Sequence, residues 1–246
     1  MITLLSAALA APALPAASDL ERAWAVDAVA VGRGEVPVSL GRADFEELAA
    51  GEVVVHRVDT PGGAFATGAV WLPVPIGAAW VAVQDQLDRP LGRAAAEERL
   101  PTNVPGVRRV YLRLDLPWPV NDRQWVAELT DDVALFEATD GRVWRRRWTL
   151  ADPGLAPNPS PDAVWMEENT GSWTLLPAGG GTLCVLSVRS VPGGTLPKEI
   201  TQTWAVRSLG GMLKTLARLA PGTMAHYREG HEPVLAPDGR QVPFGP

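Results

Sequence analysis

The side chains able to do chemistry near neutral pH are few and scattered. The 246-residue chain carries three histidines and one cysteine. His226 and His231 flank Glu229, a grouping from which three ligands to a tetrahedral zinc can be drawn. These residues follow the last predicted helix in a Pro/Gly-rich tail, and no metal centre is expected there. Glu167-Glu168 and Asp131-Asp132 are adjacent carboxylate pairs. Neighbours in a strand point to opposite faces, so neither pair can act together as general acid and base. Cys184 lies in the strand-like run Leu183–Val188 and is expected to be a buried, inert thiol. A single cysteine permits no intrachain disulfide and no cysteine-based metal site. The chain has no Gly-x-Ser-x-Gly elbow, no phosphate loop and no His-Glu-x-x-His pair. The expectation is therefore no catalytic residue and no cofactor: a binding protein rather than an enzyme.

Composition narrows the partners. Hydrophobic residues make up 46% of the chain and charged ones 20%, enough for one sizeable core. Net charge is −6, and no basic block exceeds Arg145-Arg146-Arg147, which excludes a nucleic-acid footprint. Ten tryptophans against two tyrosines and four phenylalanines suit a core or the wall of an apolar pocket. Met1–Ala17 reads as a secretory signal, with the apolar run Ile2–Ala13 followed by small residues, though without Lys or Arg before it. The run is too short and too proline-broken to span a bilayer. This reading gives a signal peptide over 1–17, a single domain over 18–222 and a tail over 223–246. It places the mature protein in the periplasm or outside the cell.

The elements that must position any site follow in order. Ser18-Asp-Leu-Glu21 has capping-box spacing and predicts a helix to about Val29; a second short helix is predicted over Arg42–Ala50. Glu52–Val58 and Ala64–Leu72 flank the turn signal Thr60-Pro-Gly-Gly63 and predict a hairpin. Ile76–Leu87 reads as a helix, and Arg89–Gly106 as a loop. Val107–Leu116 alternates: Val110, Leu112, Leu114 and Leu116 share one face, while Arg109, Tyr111, Arg113 and Asp115 share the other. Further strands are predicted over Trp125–Thr130, Val133–Thr139, Arg142–Leu150, Ala163–Asn169, Ser172–Pro177 after a break at Gly171, and Thr182–Val191. Pro197–Ala220 is the long helix, capped by Thr195, with Ile200, Trp204, Leu209, Met212, Leu213 and Leu216 in an apolar stripe. Gly210-Gly211 weakens it by about 1 kcal/mol per glycine, which marks either close packing or a bend. The tail is too rich in proline and glycine for a further element.

Leu116-Pro-Trp-Pro-Val-Asn-Asp-Arg-Gln-Trp-Val126 joins two of these strands. Prolines on both sides of Trp118 cannot lie within a sheet, so the segment is a rigid corner. With its neighbours it resembles the Pro-Trp-Pro…Arg corner of StAR-related lipid-transfer (START) domains. Gly171-Ser-Trp173-Thr-Leu-Leu-Pro177 is similar to that family's Gly-x-Trp strand, and Gly181-Thr182 opens the next. Pro192-Gly-Gly-Thr-Leu-Pro197 resembles its lead into the last helix. The likeness runs from about Gly51 to Ala220.

The resemblance implies an α+β helix-grip fold, a curved antiparallel sheet wrapped around the long C-terminal helix. Between them would lie a tunnel for one lipid or other hydrophobic molecule, with no metal. Resemblance and alternation together put Val110, Leu112, Leu129, Trp148, Trp173 and Leu175 on the tunnel wall, with Trp204, Leu209, Met212 and Leu216 as the lid. Some members hold an acid–base pair inside the cavity; the matching positions here are Val110 and Leu129, both apolar. Val191 and Gln124 also replace aspartates of the family pattern. Arg123 is expected to tie down the corner, with Asp122 and Arg113 as candidate partners. Arg146 shares a face with Trp144 and Trp148, and that face is expected to meet solvent. Were it inward, Arg146 would be the polar anchor, with Glu128 or Glu168 beside it. The reading is a monomeric lipid-binding protein, making at most transient contact with a membrane surface. A polyketide cyclase or aromatase on the same scaffold is the alternative. A domain that binds a protein partner would be favoured if tryptophans filled the tunnel.

Overall fold

Alternation along each strand gives a sheet two unlike faces, and both must be covered if both are apolar. The computed structural model of the chain describes residues 13–31, 40–60, 63–85, 89–92, 94–104, 106–194 and 198–245. In chain order the helices are α1 (Ala17–Val31), α2 (Arg42–Ala49), α3 (Ile76–Gln84), α4 (Val133–Ala138), α5 (Lys198–Leu219) and α6 (Thr223–His226). The strands are β1 (Val54–Thr60), β2 (Gly63–Leu72), β3 (Ala94–Leu100), β4 (Val107–Leu114), β5 (Arg123–Asp131), β6 (Trp144–Leu150), β7 (Val164–Trp165), β8 (Glu168–Ala178) and β9 (Gly181–Val191). They form one nine-stranded curved sheet in the order β1-β2-β9-β8-β6-β5-β4-β3, with β7 pairing parallel to β5 off that path. The remaining pairings are antiparallel, so the expected α+β helix-grip architecture is the one observed.

Two cores lie on opposite sides of this sheet. Leu20 and Trp24 of α1 and Phe45 and Leu48 of α2 pack with Val54, Trp71, Leu176, Leu183 and Val185 on the convex side. On the concave side α3 and α5 pack over Val70, Leu72, Trp173, Leu175, Cys184 and Leu186. Leu209, Leu213 and Leu216 supply the face of α5 that meets the sheet, each at most 4% exposed. Burial on this scale contributes roughly 1.5–3 kcal/mol per side chain. The close approach of α5 depends on a strand glycine: a Cβ on Gly68 would lie 2.5 Å from Leu213 and 2.9 Å from Leu209.

Several sequence-based expectations need correction. Residues 94–100 form β3, not part of a loop, because they complete the sheet edge beside β4. Val133–Ala138 is the helix α4 rather than a strand: the Asp132 side chain accepts a hydrogen bond from the Leu135 N–H at 3.0 Å and caps it. Gly171 does not break the strand but lies inside β8, where a Cβ would meet Ser187 O at 2.2 Å and the Trp148 ring at 2.4 Å. α5 runs through Gly210-Gly211 without interruption, and nothing lies within 4 Å of a Cβ on Gly211. Thr195 lies outside the described residues. The tail is also structured. α6 is followed by a Leu235–Gln241 bridge, and Tyr227, Val234 and Val242 are buried against the α3 side of the core. No described helix is long and apolar enough to cross a membrane.

Candidate ligand-binding concavity

Residues directly opposite in an antiparallel ladder share a face, so register maps the concave wall. From the buried pair Trp173 and Leu175 on β8, pairing places Arg146 beside Trp173, Trp144 beside Leu175, and Trp148 beside Gly171. On β5 the opposite residues are Asp131 to Arg146 and Leu129 to Trp148. On β4 they are Arg108 to Leu129, Val110 to Ala127 and Leu112 to Trp125. The predicted wall residues Val110, Leu112, Leu129, Trp148, Trp173 and Leu175 thus converge on one face.

Their surroundings differ along that face. Trp173, Leu175, Leu209 and Leu216 are packed into the core with 0–4% of their surface exposed. Val110, Leu112 and Leu129 stay half-buried and belong to neither packed core. Trp148 and Met212 sit at the boundary, partly buried against that core. Trp148 is fixed by its indole N–H, which donates to Asn169 Oδ1 at 2.7 Å. The backbone of Trp204 belongs to α5, but its side chain lies outside the described residues. Among the described residues the concave wall is therefore closed over β2, β8 and β9 and open over β4 and β5.

A polar group stands where the closed and open halves meet. Arg146 is 5% exposed, so the expectation that its face meets solvent is corrected. Its partner is Asp131, directly across the ladder, rather than Glu128 or Glu168: Nε and Nη2 donate to the two carboxylate oxygens at 2.6 and 2.8 Å. Glu128 pairs with Arg109 and Glu168 with Arg189. Arg146 Nη1 donates to Gln84 Oε1 at 2.6 Å, and its guanidinium lies 5.4 Å from the Trp80 ring centroid. Because Gln84 Oε1 accepts from arginine, the amide NH2 is the free end. That nitrogen is buried with no hydrogen-bond partner among the described residues. Arg108 points to the same face. Burial and the nearby charges of Arg146 and Arg99 push its guanidinium down to about 10, with Asp131 opposing them. Among the described residues the group thus sets the Arg146 and Arg108 guanidiniums against the Asp131 carboxylate, with the Gln84 amide as a further donor. Arg99 lies on the same face, paired to Glu232.

Sequence reasoning missed Asp131, Gln84 and Arg108. For Arg108 the signal was present, since period-two alternation puts it on the face of Val110 and Leu112. Arg123 does tie down the corner, but through carbonyls: Nε donates to Pro192 O at 2.6 Å and Nη2 to Gly193 O at 3.1 Å. The expected Asp122 takes part through its carbonyl, which accepts from Arg123 Nη1 at 3.3 Å. Its carboxylate accepts from the Leu116 N–H at 3.1 Å and lies 3.9 Å from Arg113 Nε. On the convex side Tyr111 and Gln124 make a separate buried pair at 2.8 Å under the loop that carries Ser160.

A curved sheet gripping one long helix, open on part of its concave wall, is the START-like helix-grip fold. Among solved structures, the chain is similar to a STAR-related lipid transfer protein from Xanthomonas axonopodis, with TM-score 0.58 and 24% identity over 69% of this chain and 93% of that one. It is also similar to human StAR-related lipid transfer protein 5, with TM-score 0.60 and 14% identity over 83% and 96% of the two chains. At these identities the likeness shows the fold. In sequence, an uncharacterized protein of Pseudomonas aeruginosa is 30% identical over 128 residues, 52% of this chain and 60% of that protein's length. The chain therefore spans less than two thirds of that relative. No protein-family model matches the chain.

Proposed function

We propose that the protein binds a lipid or similar hydrophobic molecule on the open half of the concave wall, with an acceptor-bearing or anionic head against Arg108, Arg146 and Gln84. The observation that carries this reading is the half-burial of Val110, Leu112 and Leu129 on an inward face next to a buried, cation-rich polar group. A mostly apolar concavity with a few convergent polar groups is the usual form of a small-molecule site. The two START-like structures, which share the fold and carry lipid transfer in their names, support the same ligand class. Apolar burial would drive binding at about 25 cal/mol per Å², less the ordering cost of association.

Transport between membranes, transient membrane contact, a monomeric state and export complete the proposal. Trp118, 92% exposed at the β4–β5 corner, is the natural residue to meet a membrane surface. Export is supported by the apolar run Ile2–Ala13 and the small residues behind it. Cleavage after Ala17 would leave nearly all of α1 in place.

The test is titration with fluorescent fatty acids and phospholipids, comparing the wild type with Leu129→Trp, which fills the open half of the wall. The expected result is saturable one-to-one binding that weakens at least about tenfold in the variant, a loss of roughly 1.4 kcal/mol, while the melting temperature changes little. Absence of uptake across the panel, or equal affinity in the variant, would overturn the proposal. Tryptophans filling the wall, as a partner-binding domain would have, predict that first outcome.

A further inference from the structure

We infer that Asp85, His226 and His231 form a binding site for a divalent transition-metal ion, separate from the lipid-binding concavity. Asp85 ends α3, His226 ends α6, and His231 lies in the segment that follows. One donor atom from each comes within 4.8 Å of the other two. Asp85 Oδ1 is 3.2 Å from His231 Nε2, and Asp85 Oδ2 is 3.7 Å from His226 Nε2. Ligands at 2.0–2.2 Å from a tetrahedral ion are separated by about 3.3 Å, so these spacings accept an ion with small side-chain movement. Two imidazoles and one carboxylate suit zinc and its first-row neighbours rather than calcium or magnesium.

The surroundings are those of a ligand set. His231 Nδ1 lies 2.8 Å from the Glu232 carbonyl oxygen, which can only accept, so Nδ1 carries the hydrogen. His231 Nε2 then faces Asp85 Oδ1 at 3.2 Å, close to the separation of two ligands on one tetrahedral ion. A backbone carbonyl orienting a metal-bound histidine is a common outer-shell arrangement. Glu232 is itself paired with Arg99, and the Tyr227 ring packs edge-on to His231 at 5.2 Å between centroids. The Asp85 and His231 side chains are 1% and 12% exposed, whereas His226 is 47% exposed and leaves the fourth coordination position toward solvent. Glu229, which neighbours the histidines in sequence, is exposed, and Asp85 takes the acidic place.

The experiment is calorimetric titration of Zn2+ into tag-free, chelator-stripped full-length protein, with Co2+ absorption as a geometric readout. The expected result is one ion per chain and cobalt bands typical of low coordination number. Asp85→Asn and His231→Ala should each raise the dissociation constant at least about tenfold. His56→Ala should leave it unchanged, because His56 pairs with Asp44 on the opposite side of the sheet. If either buried variant fails to fold, the exposed His226→Ala carries the test. Absence of stoichiometric zinc binding, or binding unaltered by these substitutions, would reduce the cluster to an imidazolium–carboxylate pair and overturn the inference.

Discussion

Arg146 and Asp131 face each other across the β5–β6 ladder with side chains 6% and 11% exposed, so each neutralises a charge that water barely reaches. Arg146→Met removes the cation and leaves the carboxylate and the Gln84 oxygen without their donor. Breaking a buried pair from one side costs about 3–5 kcal/mol. At about 2–4 °C per kcal/mol for a chain of this size, the melting temperature should fall by roughly 6–20 °C. Asp131→Leu alone should also destabilise, since Arg146 would keep only Gln84 and the Trp80 face. The double substitution removes both charges from the interior and should recover most of the loss. Thermal melts of the four proteins give the coupling energy, expected to be at least about 2 kcal/mol. Additive losses, with a coupling below about 0.5 kcal/mol, would refute the buried-pair account. If the anchor reading also holds, the double variant should remain folded yet lose its preference for anionic over neutral lipid probes.

Gly68→Ala should destabilise by about 1–2 kcal/mol, as overpacking against Leu213 and Leu209 outweighs the gain in chain stiffness. Gly211→Ala, with open space around its Cβ, should stabilise by about 0.5–1 kcal/mol; denaturant midpoints decide both. Burial pushes the Asp132 carboxyl up, but hydrogen bonds from Arg145 and the Leu135 N–H, with the charges of Arg145 and Arg147, hold it below its usual 3.8. A depressed folded-state value contributes stability above that pH, and the contribution is lost as pH falls through the lower folded value. Asp132→Asn should therefore be less stable than the wild type near pH 7, with a gap that narrows toward acid; a constant gap contradicts this. Burial pushes the Cys184 thiol far above its usual 9.0, so a thiol reagent should ignore the native protein and react fully once guanidinium unfolds it.

Period-two alternation made the concave wall legible from sequence, because Val110 and Leu112 repeat cleanly and β4 keeps that register against β5. The corner was equally legible, since two prolines restrict the backbone whatever surrounds them. Tertiary context decided the rest. Residues 94–100 are rich in alanine and glutamate, poor strand formers, yet form β3 because an edge partner is available. Val133–Ala138 carries Ala, Leu and Glu, good helix formers, and the Asp132 cap starts the helix that Val133 and Phe136 alone do not suggest. The ion partner of Arg146 depends on which residue of β5 stands opposite, which alternation alone does not specify. Asp85 joins the histidines only because the segment after α5 folds back onto α3, where Trp80 donates to the Leu235 carbonyl at 2.8 Å.

The central claim is that the concavity holds one hydrophobic molecule. Native mass spectrometry of protein purified without detergent, followed by organic extraction, tests it most directly. The account predicts a reproducible one-to-one adduct in the lipid mass range, lost in Leu129→Trp and shifted in the Arg146→Met, Asp131→Leu double variant. A protein that flies empty, and remains empty after incubation with lipid vesicles, would contradict it.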